Sequence, residues 1–110
     1  MSLYAKYIKE RENSEIVETD YGFATFKIFD NGEVYVVDVY VEPKLRRQGK
    51  ASELLDKIQE VTKPLGSKVL TTSVDLNANG VENSLNAIYK YGFMAIKRIN
   101  SMIYFSKEIL

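Results

Sequence analysis

The chain has 110 residues, 45% of them hydrophobic, with fifteen Lys and Arg against fifteen Asp and Glu. That length and apolar content suit one packed core, and zero net charge excludes a global field directed at nucleic acid or an anionic membrane, so a basic site has to be a local concentration. The absence of cysteine and histidine excludes thiol nucleophiles, disulfides, thiolate or imidazole metal sites and a histidine base.

Residues 3–10 read as an edge strand, followed by a polar stretch interrupted only by Ile16 and Val17. Residues 21–29 alternate in part between aromatic and small or polar types, and Asp30-Asn31-Gly32 supplies the positive-φ positions of a tight hairpin. Residues 33–41 form the returning strand. It is apolar at nearly every position, as expected of a central strand covered on both faces, and Asp38 is its one interior charge.

From Gly49 the period changes. Ala51, Leu54, Leu55, Ile58 and Val61 fall at helical spacing until Pro64 and Gly66 end the run. Residues 68–75 are a Val- and Thr-rich strand, and Asn77-Ala78-Asn79-Gly80 is a turn in which Asn79 is placed to cap a second helix, with Glu82 three residues on. Val81, Leu85 and Ile88 form the buried stripe of that helix and Gly92 its left-handed end. Two further strands, residues 93–99 and 102–107, turn at Asn100-Ser101. No repeat, low-complexity tract or composition shift marks a linker, so a single domain over residues 1–110 is expected. No apolar run approaches a membrane span and residues 1–10 lack the apolar block of a signal peptide, which points to a cytoplasmic location.

The stretch Val39-Tyr40-Val41-Glu42-Pro43-Lys44-Leu45-Arg46-Arg47-Gln48-Gly49-Lys50-Ala51 joins the apolar strand to the first amphipathic helix. A helix start leaves backbone N–H groups unpaired under the positive end of the dipole, which suits a phosphate or pyrophosphate, and Lys44, Arg46, Arg47 and Lys50 add charge. Such a cluster is more often a solvated basic turn, but the glycine spacing and the helix that follows favour an anion site. The string Gln48-Gly49-Lys50-Ala51-Ser52 is not a P-loop, which needs glycine where Lys44 stands and Ser or Thr where Ala51 stands. Phe23, Phe26, Tyr35, Phe93 and Phe105 lie in strands, where core packing explains them better than base stacking.

Arg46-x-x-Gly49-x-Ala51 at a strand-to-helix junction resembles the cofactor motif (Gln or Arg)-x-x-Gly-x-(Gly or Ala) of the GNAT superfamily of N-acetyltransferases. Val41-x-Pro43-x-x-Arg46 resembles the family's strand exit, and Tyr89-Lys90-Tyr91-Gly92-Phe93 its late helix-to-strand ending, so the resemblance spans residues 21–109. It implies an α/β (α+β) fold with a mixed, mostly antiparallel twisted sheet of about six strands, two main helices, and N-terminal helices reduced or absent. It also implies an acetyl-CoA-dependent N-acetyltransferase that passes the acetyl group directly to an amine, with no metal. The main-chain amides of Arg47, Gln48, Gly49, Lys50, Ala51 and Ser52, beside Arg46, are then expected to hold the pyrophosphate of coenzyme A. Val39, Tyr40 and Val41 splay from their neighbour and pair with the pantetheine arm, and an N–H near Val39 or Tyr40 polarises the thioester carbonyl. Ser73, Asn77 and Asn79 lie where the family places polar cofactor contacts.

Two positions depart from the family pattern. The acid tyrosine is expected four residues before Gly92, where Ile88 stands; Tyr89 follows it, about a hundred degrees further round the helix. The glutamate base falls near Tyr35, which leaves Asp38 and Glu33 as substitutes, so Tyr89 and Asp38 are the catalytic candidates. Residues 11–20 are too few for the two helices that usually form the acceptor wall. An open groove for a protein amine, or one completed by a second copy of the chain as a homodimer, follows from that; a small-molecule amine is the other acceptor class. The alternative reading keeps the fold and the acyl-CoA site but drops the chemistry, giving a regulatory module. A nucleic-acid-binding domain using the basic loop is a third, against which the neutral charge speaks.

Overall fold

The computed structural model describes residues 1–110. In chain order the elements are α1 (Leu3–Glu12), β1 (Glu15–Glu18), β2 (Gly22–Ile28), β3 (Glu33–Val41), α2 (Lys50–Thr62), β4 (Val69–Asp75), α3 (Val81–Tyr91), β5 (Met94–Ile99) and β6 (Met102–Glu108), with short 3-10 turns at Pro43–Leu45 and Lys63–Leu65. The strands make one sheet in the order β1-β2-β3-β4-β6-β5, antiparallel throughout except for β3 beside β4. This is the mixed, mostly antiparallel six-stranded fold expected from the sequence.

One face of the sheet carries the core. Ala24, Phe26, Val34, Val36, Leu70, Val74 and Phe105 pack there against Leu54, Leu55 and Ile58 of α2. Burying Leu54 and Ile58 completely contributes roughly 1.5–3 kcal/mol each, which anchors α2 and so fixes its first turn beside β3. Val81, Leu85 and Ile88 of α3 join this cluster but stay half-buried, so the buried stripe expected of α3 is only partly covered. Its link to α2 is partly polar: the Tyr91 hydroxyl donates to Asp56 at 2.7 Å and accepts from Gln59 Nε2 at 2.5 Å. Burial first, then the Asp56 carboxylate, pushes the Tyr91 phenol well above its ordinary value, while the Gln59 bond acts the other way.

Residues 3–10 are helical, not an edge strand. The Ser2 hydroxyl caps the helix by accepting from the Ala5 N–H at 3.0 Å, Ala5 and Ile8 bury at helical spacing, and Asn13 closes the end in the left-handed region at φ 54°. This helix lies on the face opposite α2, where Tyr4 meets Phe23 edge-on at 5.4 Å. Phe23 and Tyr35 therefore belong to the second face, whereas Phe26, Phe93 and Phe105 fill the core as expected.

The expectation that β3 is covered on both faces holds only for its first half. Val34 and Val36 are buried, but residues 37–40 are exposed, because β4 turns away from them. The cap of α3 also differs from expectation. Gly80, not Asn79, occupies the N-cap at φ 74° and contributes no side-chain bond.

Candidate functional site

β3 and β4 pair in parallel over only a few residues, Glu33 with Val69, Val34 with Leu70 and Tyr35 with Thr71, and then part. Opposite β2, the register steps from Phe26–Val36 to Thr25–Asp38, leaving Val37 as a β-bulge without a partner. A gap therefore opens between two parallel strands, starting at a bulge. Its two ends are closed by side chains: Thr72 Oγ1 donates to the Val36 carbonyl at 3.1 Å, and Arg46 Nε donates to the Val41 carbonyl at 2.8 Å.

Backbone groups alternate sides along a strand. The Glu42 N–H donates to the Tyr21 carbonyl on the β2 side at 2.8 Å, so the backbone groups of Val41 and Val39 point the other way, into the gap. No strand faces Val39 there. Its N–H and C=O are an unfilled rung that an extended ligand can pair with.

At the carboxyl end of β3 the chain enters the basic loop. Arg47 takes φ 65° and Gly49 φ 78°, and these left-handed residues turn the chain into α2 with Gly49 as an N-cap that offers no side-chain acceptor. The Leu45 and Arg46 N–H groups bond back to Glu42 and Pro43, and the first helical bond is from Glu53 to Gly49. Between them, the N–H groups from Arg47 to Ser52 have no hydrogen-bond partner in the chain. Free donors of this kind are the geometry that the anion site expected from the sequence requires. Of the basic side chains, Arg46 is held against Val41 and over the Tyr40 ring at 5.4 Å, while Lys50 pairs with Glu53 at 3.1 Å. Ala51 is half-buried against the core, so its small size also serves packing.

Because β3 and β4 are parallel, the start of α3 lies at the same end of the sheet. The Asn77 N–H is taken by Asp75 Oδ1 at 2.9 Å and Ala78 by the Asp75 carbonyl, whereas the N–H groups of residues 79–83 are free of the chain. Two helix starts thus lie at this end of the sheet, the second capped by Gly80 rather than by Asn79. A hollow of about 220 Å³ beside β2 is lined by Glu18, Asp20 and Glu42, whose carboxylates disfavour an anion there.

The remaining candidates divide. Asp38 is exposed on the face opposite α2, next to the bulge. On the same face, Tyr35 and Ser73 join their hydroxyls at 2.5 Å and Thr71 donates to Glu33 at 2.6 Å. Tyr89 is placed elsewhere: α3 is a continuous α-helix, and the Tyr89 ring stands edge-on to Phe105 of β6 at 5.5 Å, one strand further from β3 than β4. Nothing in the sequence signalled the Thr72 bond or the Tyr35–Ser73 pair, whose partners are far apart in the chain.

A sequence model of the acetyltransferase (GNAT) family matches residues 8–93, most of the chain and all of the loop. The chain belongs to the GNAT acetyltransferase family. No curated protein sequence matches it significantly. Solved structures share the GNAT fold at low identity. A GNAT-family acetyltransferase structure from Desulfovibrio desulfuricans is 15% identical with a TM-score of 0.77, covering 96% of this chain and 78% of that one. A Bacillus subtilis acetyltransferase in complex with CoA is 18% identical with a TM-score of 0.71, covering 96% and 84%. The paia N-acetyltransferase of Thermoplasma acidophilum in complex with coenzyme A is 21% identical with a TM-score of 0.70; the match covers 92% of this chain but only 65% of that one. This GNAT chain has no helix long and apolar enough to cross a membrane.

Proposed function

We propose that this protein is an acetyl-CoA-dependent N-acetyltransferase working as a single cytoplasmic domain. The observation that carries the reading is the run of partnerless amides from Arg47 to Ser52 at the mouth of a gap between parallel strands. The amides and the α2 dipole hold the pyrophosphate, and Arg46, Gln48 and Lys50 surround it. Asn77 and Asn79 flank the arm from the β4 side. The pantetheine arm lies in the gap, pairing with Val39 and bounded by Tyr40 and Val41. An amine drawn to Asp38 on the open face as its cation gives up that proton to solvent, and the neutral nitrogen attacks the thioester carbon while a backbone N–H near the bulge stabilises the oxyanion. Complexes of the B. subtilis and T. acidophilum neighbours with coenzyme A support the choice of ligand.

A second reading, an acyl-CoA-binding module without turnover, is favoured by one observation: Ile88 packs into the core and Tyr89 meets Phe105, so neither α3 side chain offers a proton donor at the gap. Calorimetric titration with acetyl-CoA tests both. A Cβ at Gly49 meets no atom within 4 Å, so Gly49→Glu leaves the fold intact apart from left-handed strain, which Gly49→Ala shares as a control. The parent and Gly49→Ala bind, and Gly49→Glu loses at least tenfold. No heat with the parent overturns both readings. Release of free thiol across a panel of primary amines separates enzyme from module.

A further inference from the structure

We infer that Tyr35 and Ser73 form a neutral proton relay for acetyl transfer, carrying the amine's proton to the departing thiolate. This rests on the acetyltransferase reading above. Tyr35 is the last residue of β3 paired with β4, and Ser73 lies two residues beyond its partner Thr71, on the stretch of β4 that has left β3. Their hydroxyls meet at 2.5 Å across the start of the gap, beside the Val37 bulge, and both residues are half-buried. Neither hydroxyl is hydrogen-bonded to any other group of the chain.

The chemistry follows from counting hydrogens. Two hydroxyls carry two O–H donors, and their mutual bond uses one, so the pair keeps one donor and open lone pairs for outside groups. Such a pair accepts a proton at one end while it gives one at the other, and neither oxygen becomes charged. In the transfer the amine nitrogen forms the C–N bond, and the C–S bond breaks. The proton leaving nitrogen passes to one hydroxyl, that hydroxyl's proton to the second, and the second's to sulfur. The products are the amide and the free thiol, and the pair returns to its starting composition. A carboxylate base at position 35 and a tyrosine acid on α3 are then both dispensable, which accounts for Ile88 and for the distance of Tyr89 from the gap.

The test uses the full chain, acetyl-CoA and a panel of lysine amide, an alanyl peptide and spermidine, with thiol release as the readout. Tyr35→Phe and Ser73→Ala each lower kcat about a hundredfold, within the range for proton transfer by a positioned group, with KM for acetyl-CoA changed less than twofold. Their double variant is no slower than either alone, because the two act as one unit. Ser73→Thr restores the hydroxyl and recovers most of the rate. The parent's rate follows a cubic curve in deuterium fraction in a proton inventory, one factor for each of the three protons in flight, and Tyr35→Phe loses that curvature, which a structural role does not produce. Rates of Tyr35→Phe and Ser73→Ala within threefold of the parent, or additive losses, overturn the relay. A parent that binds acetyl-CoA but releases no thiol with any amine overturns it too while leaving the cofactor site standing. A parent that does not bind removes both.

Discussion

Arg46 closes the end of the gap on Val41, its Nε donating to the Val41 carbonyl at 2.8 Å while the guanidinium lies over the Tyr40 ring. One side chain of the loop thereby ties the end of β3 to the start of α2. Arg46→Ala removes a charge-assisted bond and is expected to cost about 1–2 kcal/mol of stability and to weaken acetyl-CoA binding about tenfold. Arg46→Lys keeps the charge but not the planar stack, and should fall between. Chemical denaturation and calorimetry on the three proteins check this; equal affinities would detach Arg46 from the site.

Gly22 of β2 lies opposite Val41 of β3. A Cβ there falls 2.1 Å from the Tyr40 carbonyl oxygen, a backbone atom that moves only with the strand. Gly22→Ala is expected to destabilise the protein by about 2–3 kcal/mol, the upper range for overpacking, and to weaken acetyl-CoA binding because the displaced strand lines the gap. Urea midpoints with an unchanged slope would attribute the loss to the native state.

Asp38 is exposed and has no hydrogen-bond partner among the side chains, so Asp38→Asn should leave stability within about 0.5 kcal/mol. If it gathers the protonated acceptor, KM for cationic amines rises severalfold while the dissociation constant of acetyl-CoA stays put. The effect should shrink as salt is added. Steady-state kinetics at two ionic strengths measure it.

Tyr91 sets an alkaline limit. Its folded phenol holds its proton above the ordinary value of 10.0. The unfolded chain releases the proton first and binds fewer protons there, so stability falls as pH rises through that value, and the contribution is complete below it. Tyr91→Phe should therefore show a shallower loss of stability above pH 10 than the parent, with the two curves parallel below it. Denaturation series across pH 8–11 distinguish the slopes.

Local chemistry was legible and strand separation was not. The turn at Gly32, the break at Gly66 and the close at Gly92 each take the positive φ their surroundings demanded. Gly49 likewise announced the loop. Residues 3–10 misled because α1 buries only Ala5 and Ile8, too narrow a stripe to register as periodicity, and its start depends on the Ser2 cap. The apolar run of β3 hid the gap: Val37, Val39 and Tyr40 look like core, and only the departure of β4 after Thr71 exposes them. A bulge inside a β-branched run leaves no mark in composition. Contacts such as Tyr35–Ser73 depend on register between strands, which no local pattern encodes.

The Thr72 and Arg46 bonds at Val36 and Val41 turn the gap into a ruler. At about 3.3 Å per residue, the distance between its stops is roughly 17 Å, set by rigid strand rather than by loop. A donor whose anionic head is seated on α2 has its reactive end delivered to a depth determined by its own arm. Analogues with shortened arms would dock by the head yet stop short of the bulge, separating occupancy from reaction by length alone.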